Sequence, residues 1–106
     1  MSVFVNGTFD ILHPGHIALL RHAKSYGEYL YVAIDSDRRV KQRKGPTRPH
    51  FNQSTRQTAL ELLGLVDAVH IFEDNQQLES LVFCIRPNIM IVGSDYINHN
   101  VIGSQY

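Results

Sequence analysis

The sequence holds a single cysteine, Cys84, and so cannot close an internal disulfide. That excludes the disulfide-stapled class of small domain and fits a reducing compartment, so a cytoplasmic location is expected. There is no excess of either charge: 10 Lys and Arg stand against 10 Asp and Glu, for a formal net charge of zero and a pI near 7.0. Bulk nucleic-acid binders carry a basic surplus, so that class is excluded. No apolar run approaches membrane-spanning length, and the first residues enter a strand-like run instead of a signal peptide. No membrane partner is therefore expected. Internal repeats and low-complexity tracts are lacking too. What is there, 106 residues with 43% hydrophobic content, suffices for one small domain over residues 1–106, with one modestly stable core.

Apolar runs alternate with helical periodicities along the chain. Ser2 to Asn6 reads as a short buried strand, β-branched and aromatic. Gly15 to Tyr26 reads as a helix, with Ile17, Leu20 and Ala23 or Lys24 at helical spacing, Leu19 adding to the apolar side, and Gly27 in the C′ role. Tyr29 to Ile34 is a second strand, followed by Asp35-Ser36-Asp37, which offers caps to a short helix through Val40. Gln42 to Asn52, punctuated by Gly45, Pro46 and Pro49, reads as an exposed loop. Asn52 or Ser54 caps a helix to about Leu63, with Ala59, Leu60 and Leu63 inward and Gly64 as its stop. Ala68 to Phe72 is a third strand, Gln76 to Ile85 a helix ended by Pro87, and Ile89 to Val92 a fourth strand. This alternation predicts an α/β fold: a Rossmann-like open parallel sheet with helices on both faces. Ligands bind such sheets beyond the carboxyl ends of the strands, and Asn6-Gly7-Thr8, Asp35-Ser36-Asp37 and Gly93-Ser94-Asp95 all fall on that rim.

The most informative segment is Gly7 to His16, GTFDILHPGH, joining the first strand to the first helix. A helix N-terminus carries unpaired N–H groups and a partial positive charge, which suit a phosphate. His13 and His16 would add donors there. Their spacing of three also occurs in zinc pairs, but no second His/Cys cluster supplies a third ligand, so no metal site is expected. Pro14 fits the first helical turn, and Gly15 would leave room for phosphate. Gly7 and Thr8 either form a tight turn or let backbone approach a ligand. Asp10 is either a metal ligand or a turn carboxylate holding the loop, with the turn reading favoured. Arg38, Arg39, Lys41, Arg43, Lys44 and Arg48 concentrate positive charge within eleven residues, either as a solvated face or as a mobile cationic loop that closes over phosphates. Arg56 is either solvent-exposed or a bidentate phosphate contact. Cys84 falls on the apolar side of its helix and reads as inert core.

His13-Pro14-Gly15-His16 resembles the H-x-G-H signature of the cytidylyltransferase-like nucleotidyltransferases. The flanking Gly7-Thr8-Phe9-Asp10 and Leu12 match as well, as do Lys44-Gly45-Pro46, Arg48-Pro49, Arg56, Val92-Gly93-Ser94-Asp95-Tyr96 and Val101-Ile102-Gly103-Ser104. The first block is similar to glycerol-3-phosphate cytidylyltransferases and archaeal FAD synthetases, and the downstream pieces are similar to heptose-1-phosphate adenylyltransferase domains. The resemblance implies catalytic roles for His13, His16, Lys44 and Arg56. It implies nucleotide contacts at Gly7, Thr8, Phe9, Gly15, Gly93, Asp95 and Tyr96, with Lys41 as runner-up to Lys44. Family members continue with a further strand and a Ser/Thr-rich segment opening a final helix; the usual C-terminal strand and helix are therefore expected to be lacking from these residues, with a bare sheet edge that invites a homodimer.

The reaction implied is nucleotidyl transfer from CTP or ATP to a phosphorylated small molecule, glycerol-3-phosphate or a sugar phosphate, with pyrophosphate as the leaving group. A phosphate nucleophile is already ionised near neutral pH and needs no general base, which suits a chain with no evident nucleophile–base pair. Mg²⁺ is expected to accompany the triphosphate. Two other readings stay open at this point: a nucleotide-binding protein without turnover, and an FAD synthetase-like adenylyltransferase.

Overall fold

Along the first strand, β1 (Ser2–Gly7), successive side chains point to opposite faces, and both faces are buried. Val3 and Val5 enter one apolar cluster with Leu20, Ala23, Leu60 and Ile91; Phe4 enters another with Ala33, Phe72, Val82 and Met90. A strand buried on both sides needs helices on both sides, and the computed structural model, which describes residues 1–92 and 101–103, has them. The remaining elements are α1 (Pro14–Ser25), β2 (Tyr29–Asp35), α2 (Asp37–Lys44), α3 (Gln53–Leu62), β3 (Ala68–Phe72), α4 (Asn75–Ile85), β4 (Ile89–Val92) and β5 (Val101–Gly103).

The sheet order is β3-β2-β1-β4-β5. β1 pairs in parallel with β2 and β4, with Val5 opposite Val32 on one side and Ile91 on the other, and β2 pairs in parallel with β3. The chain thus winds outward from β1 in one direction and then crosses to its other side. The crevice between β1 and β4 is a topological switch point, and α1 starts just beyond the end of β1.

The α/β, Rossmann-like reading holds, with corrections. The sheet is not wholly parallel: β5 runs antiparallel along β4, with Ile91 opposite Val101. The edge expected to be bare therefore carries a short strand, which four-strand alternation could not reveal. The helix after β2 extends to Lys44 instead of ending at Val40, so much of the expected loop is helical. Ser36 caps that helix and Asn52 caps α3. Gly64 has a φ of 73° beyond the end of α3, as befits the residue read as its stop. Gly27 is not a left-handed C′ residue: α1 ends on Tyr26 in the right-handed region. A Cβ at Gly27 would lie 2.4 Å from the Met1 carbonyl oxygen, so its smallness serves a close backbone crossing. Cys84 is exposed, not core, because Val82 is the buried residue of that stretch of α4.

Candidate active site at the end of the first strand

The site is built from the residues that leave β1. Thr8 is buried, and Phe9 follows with a φ of 50°, a left-handed conformation unusual for a bulky residue. The bend is held because the Phe9 ring is sunk in the core beside Val5, Leu20 and Leu60. The Phe9 ring therefore serves the core and is not offered to a ligand. Asp10 takes the turn role: Oδ2 accepts from the His50 N–H at 2.7 Å and Oδ1 from the Phe51 N–H at 2.8 Å. A carboxylate with both oxygens so engaged holds the loop before α3 against the start of α1. Among the described residues no group of three His, Cys, Asp or Glu could hold a metal ion.

His13 is the N-cap of α1, with Pro14 at the first helical position. Its Nδ1 accepts from the Gly15 N–H at 3.0 Å, and the Nδ1 of His16 accepts from the His13 N–H at 3.4 Å. A ring nitrogen that accepts carries no hydrogen, so the bonds assign the proton of each neutral imidazole to Nε2. The two rings lie 3.9 Å apart between centroids, and Phe9 backs His16 at 5.3 Å. His16 is buried, in line with Leu20 and Ala23 on the inner face of α1.

This geometry changes the reading of the helix terminus. Pro14 has no N–H, the Gly15 N–H is spent on His13, and the His16 N–H turns back to the His13 carbonyl at 2.9 Å. The first-turn amides are not open donors for an anion. The imidazoles stand in front of them, and the partial positive charge of the terminus is relayed through His13 to its outer nitrogen. Gly15 also leaves room for the histidine: a Cβ there would lie 2.8 Å from Cε1 of His13.

His13 and His16 line a cleft of about 320 Å³ with Asp10, Ile11, Lys44, Arg48 and His50. Lys44 arrives as the last residue of α2, not from a mobile loop. Lys41, one turn earlier, is exposed and does not line the cleft. Arg39 and Arg43 of the same basic segment both donate to Oδ2 of Asp35, each at 2.9 Å. The segment's charge is therefore divided between an internal clamp and the cleft.

Arg56 fits neither the exposed nor the phosphate-binding reading. It is 1% exposed. Its Nε donates to the Phe51 carbonyl at 2.9 Å, its Nη1 to the carbonyls of Thr8 at 3.1 Å and Asp35 at 2.8 Å, and its Nη2 to Asp37 Oδ1 at 2.9 Å. One planar guanidinium ties the end of β1, the end of β2, the start of α2 and the turn before α3. Two of the three polar loops expected on the rim are joined by it. Gly7 ends β1 and is buried there. The third loop, with Gly93, Asp95 and Tyr96, lies outside the described residues.

Sequence reasoning named Arg48 only as part of the basic segment, and missed His50 as a cleft residue and Asp35 as an anchor. Asp35 did leave a signal, since Asp35, Arg39 and Arg43 recur at four-residue spacing. His50 left none, because Asp10 brings it in across 40 positions of chain.

The cytidylyltransferase-like family model matches residues 4–102. Bifunctional protein HldE of Campylobacter fetus subsp. fetus (strain 82-40) is 45% identical over 104 residues, covering 98% of this chain and 22% of that protein. The protein of the same name from Koribacter versatilis (strain Ellin345) is 43% identical over 103 residues, 97% of this chain and 21% of the relative. The chain thus spans about a fifth of the length of the curated relatives it matches. Among solved structures, the crystal structure of the lipopolysaccharide core biosynthesis protein from Thermoplasma volcanium GSS1 matches with a TM-score of 0.73 and 29% identity, covering 85% of this chain and 71% of that one.

Proposed function

The chain belongs to the cytidylyltransferase-like family of nucleotidyltransferases, and on that premise we propose that it moves a nucleoside monophosphate from CTP or ATP to a sugar phosphate or related phosphorylated small molecule. The observation that carries this reading is the histidine pair. Two imidazoles 3.9 Å apart, each with Nδ1 engaged by backbone, line one cleft together with Lys44 and Arg48. Such a cleft suits a polyanion.

An oxygen of the acceptor's phosphate attacks the α-phosphorus of the triphosphate, a new phosphorus–oxygen bond forms, and pyrophosphate departs with the electrons of the bond that breaks. The acceptor oxygen is already ionised, so the side chains need only align the groups and stabilise negative charge. His13 and His16 donate to phosphate oxygens, and Lys44 and Arg48 bind the triphosphate by balancing its charge. Mg²⁺ enters chelated by the triphosphate as part of the substrate; Asp10, the carboxylate lining the cleft, is committed to two amides. A sugar-bearing acceptor is supported by the structural relative named as a lipopolysaccharide core biosynthesis protein. The low cysteine content and the use of nucleoside triphosphates fit work in the cytoplasm.

The test is pyrophosphate release with Mg²⁺, CTP or ATP, and a panel of glycerol-3-phosphate and sugar phosphates. Release that requires both substrates and falls roughly 10²–10³-fold in His16→Ala is expected. A His16→Ala variant with unchanged kcat and raised KM would remove the assigned role. Binding of a nucleotide, read as a thermal shift, without turnover of any pair would make the chain a binding module; no shift with any nucleotide would overturn the reading.

A homodimer also forms part of this proposal. It is supported by β3, whose outer edge pairs with no strand among the described residues. Sedimentation as a monomer at micromolar concentration would refute it.

A further inference from the structure

α2 is an unusual helix to find next to a triphosphate cleft. It has eight residues, DRRVKQRK, of which five are basic and one, Val40, is buried. An isolated helix of this length does not persist in water, and like charges crowded onto it work against it further. Apolar burial of a single valine gives little to hold it. What holds it is polar. Ser36 caps it, Arg56 grips Asp37, and Gln53 Oε1 accepts from the Asp37 N–H at 2.9 Å. These contacts all act on its first turn.

The rest of the helix is held through Asp35. This carboxylate sits at the carboxyl end of β2 with a side chain 2% exposed, so it moves with the sheet. Its Oδ2 accepts from Arg39 Nε and from Arg43 Nη1. Arg39 also donates to Asn75 Oδ1 at 2.8 Å and lies 5.0 Å over the Phe72 ring, fixing the middle of α2. Arg43 fixes the final turn, and the next residue is Lys44, the one that lines the cleft. Asp35 also removes two positive charges from the repulsion within α2.

The geometry points to Asp35, acting through Arg43, as the positioning residue that sets Lys44 in the triphosphate cleft. The lysine is then presented by a clamped helix end and needs no closing loop. This inference rests on the nucleotidyl-transfer reading for its catalytic meaning, and on the described contacts alone for the clamp.

Arg43→Ala is the first variant, because Arg43 is 54% exposed and its loss spares the core; Asp35→Asn and Arg43→Lys accompany it. Amide hydrogen exchange at Lys44 and Gly45 is expected to speed up in Arg43→Ala and Asp35→Asn, with Val5 and Val32 in the sheet unchanged. KM for the nucleoside triphosphate is expected to rise roughly three- to fivefold in Arg43→Ala, with kcat little moved, and Arg43→Lys should recover part of it. In a Lys44→Ala background, Arg43→Ala should add nothing further. Unchanged exchange at Lys44 and Gly45, or a KM effect that persists in full without Lys44, would overturn the inference, the latter by making Arg43 an independent charge. If the wild-type protein binds no nucleotide, the proposed function falls, while the exchange measurements still decide the clamp.

Discussion

Gly15→Ala separates positioning from stability. A Cβ at this position would lie 2.8 Å from Cε1 and 3.0 Å from Nδ1 of the His13 ring. The obstacle is a side chain, so the ring yields. It must retreat by roughly 0.7 Å to restore an unstrained carbon contact of about 3.5 Å. That retreat breaks the bond from the Gly15 N–H to His13 Nδ1 and shifts the ring against His16. Losing the cap costs about 1 kcal/mol. Alanine in place of glycine within a helix returns up to about 1 kcal/mol. The two offset, and Tm should stay within about 4 °C of wild type. Catalysis has no such offset, because a misplacement approaching an ångström lowers kcat by up to roughly 100-fold. The assays are calorimetric Tm and steady-state pyrophosphate release on the same preparation. A variant that keeps its kcat, or one that loses activity in proportion to a fall in Tm, would refute the reasoning.

Three further outcomes follow from the same geometry. Arg56→Lys should destabilise the protein by about 3–5 kcal/mol in urea denaturation, since a lysine cannot reproduce the fork and leaves the buried carbonyls of Thr8 and Asp35 under-satisfied; a loss below about 1 kcal/mol would contradict the keystone role. The Lys24 ammonium, and then the Leu30 N–H, hold the Asp67 carboxyl below the usual carboxylate range. A depressed folded-state value means stability that is full above the ordinary carboxylate value of about 3.9 and is lost as pH falls through the lower folded one; Tm of Asp67→Asn should therefore depend less on pH below about 5, and parallel acid limbs would refute this. Cys84 should react with a thiol reagent in native buffer at a rate close to that in denaturant, and protection of many orders of magnitude would mean that this face is covered.

Much of the fold was legible because its signals are local. Ala68–Phe72 and Ile89–Val92 are bounded by turn residues and run apolar but for His70, so the strands read at their observed limits. α2 was read short because its helicity does not reside in its own residues. Its pattern of five basic side chains resembles a solvated loop until Asp35, Arg56 and Gln53 are brought to it from outside. β5 escaped because three residues offer no periodicity and their pairing is with β4. No helix among the described residues is long and apolar enough to cross a membrane, as the hydropathy implied.

By itself the sequence determined the alternation of strand and helix, the sheet buried on both faces, and the presence of His13 and His16 where β1 meets α1. These depend on spacing along the chain, which two periodicities and one short motif express. Only the tertiary structure decided what the neighbouring groups do. Arg56 could be surface or ligand until three carbonyls and a carboxylate from separate segments closed on it. That Gly15 makes room for the ring of His13 emerged only when the fold set that ring 2.8 Å from where a Cβ would stand. The physical reason is the same in both cases. A hydrogen bond or a steric contact acts over a few ångströms, and which groups come within that range is set by how distant segments pack, not by their order in the chain.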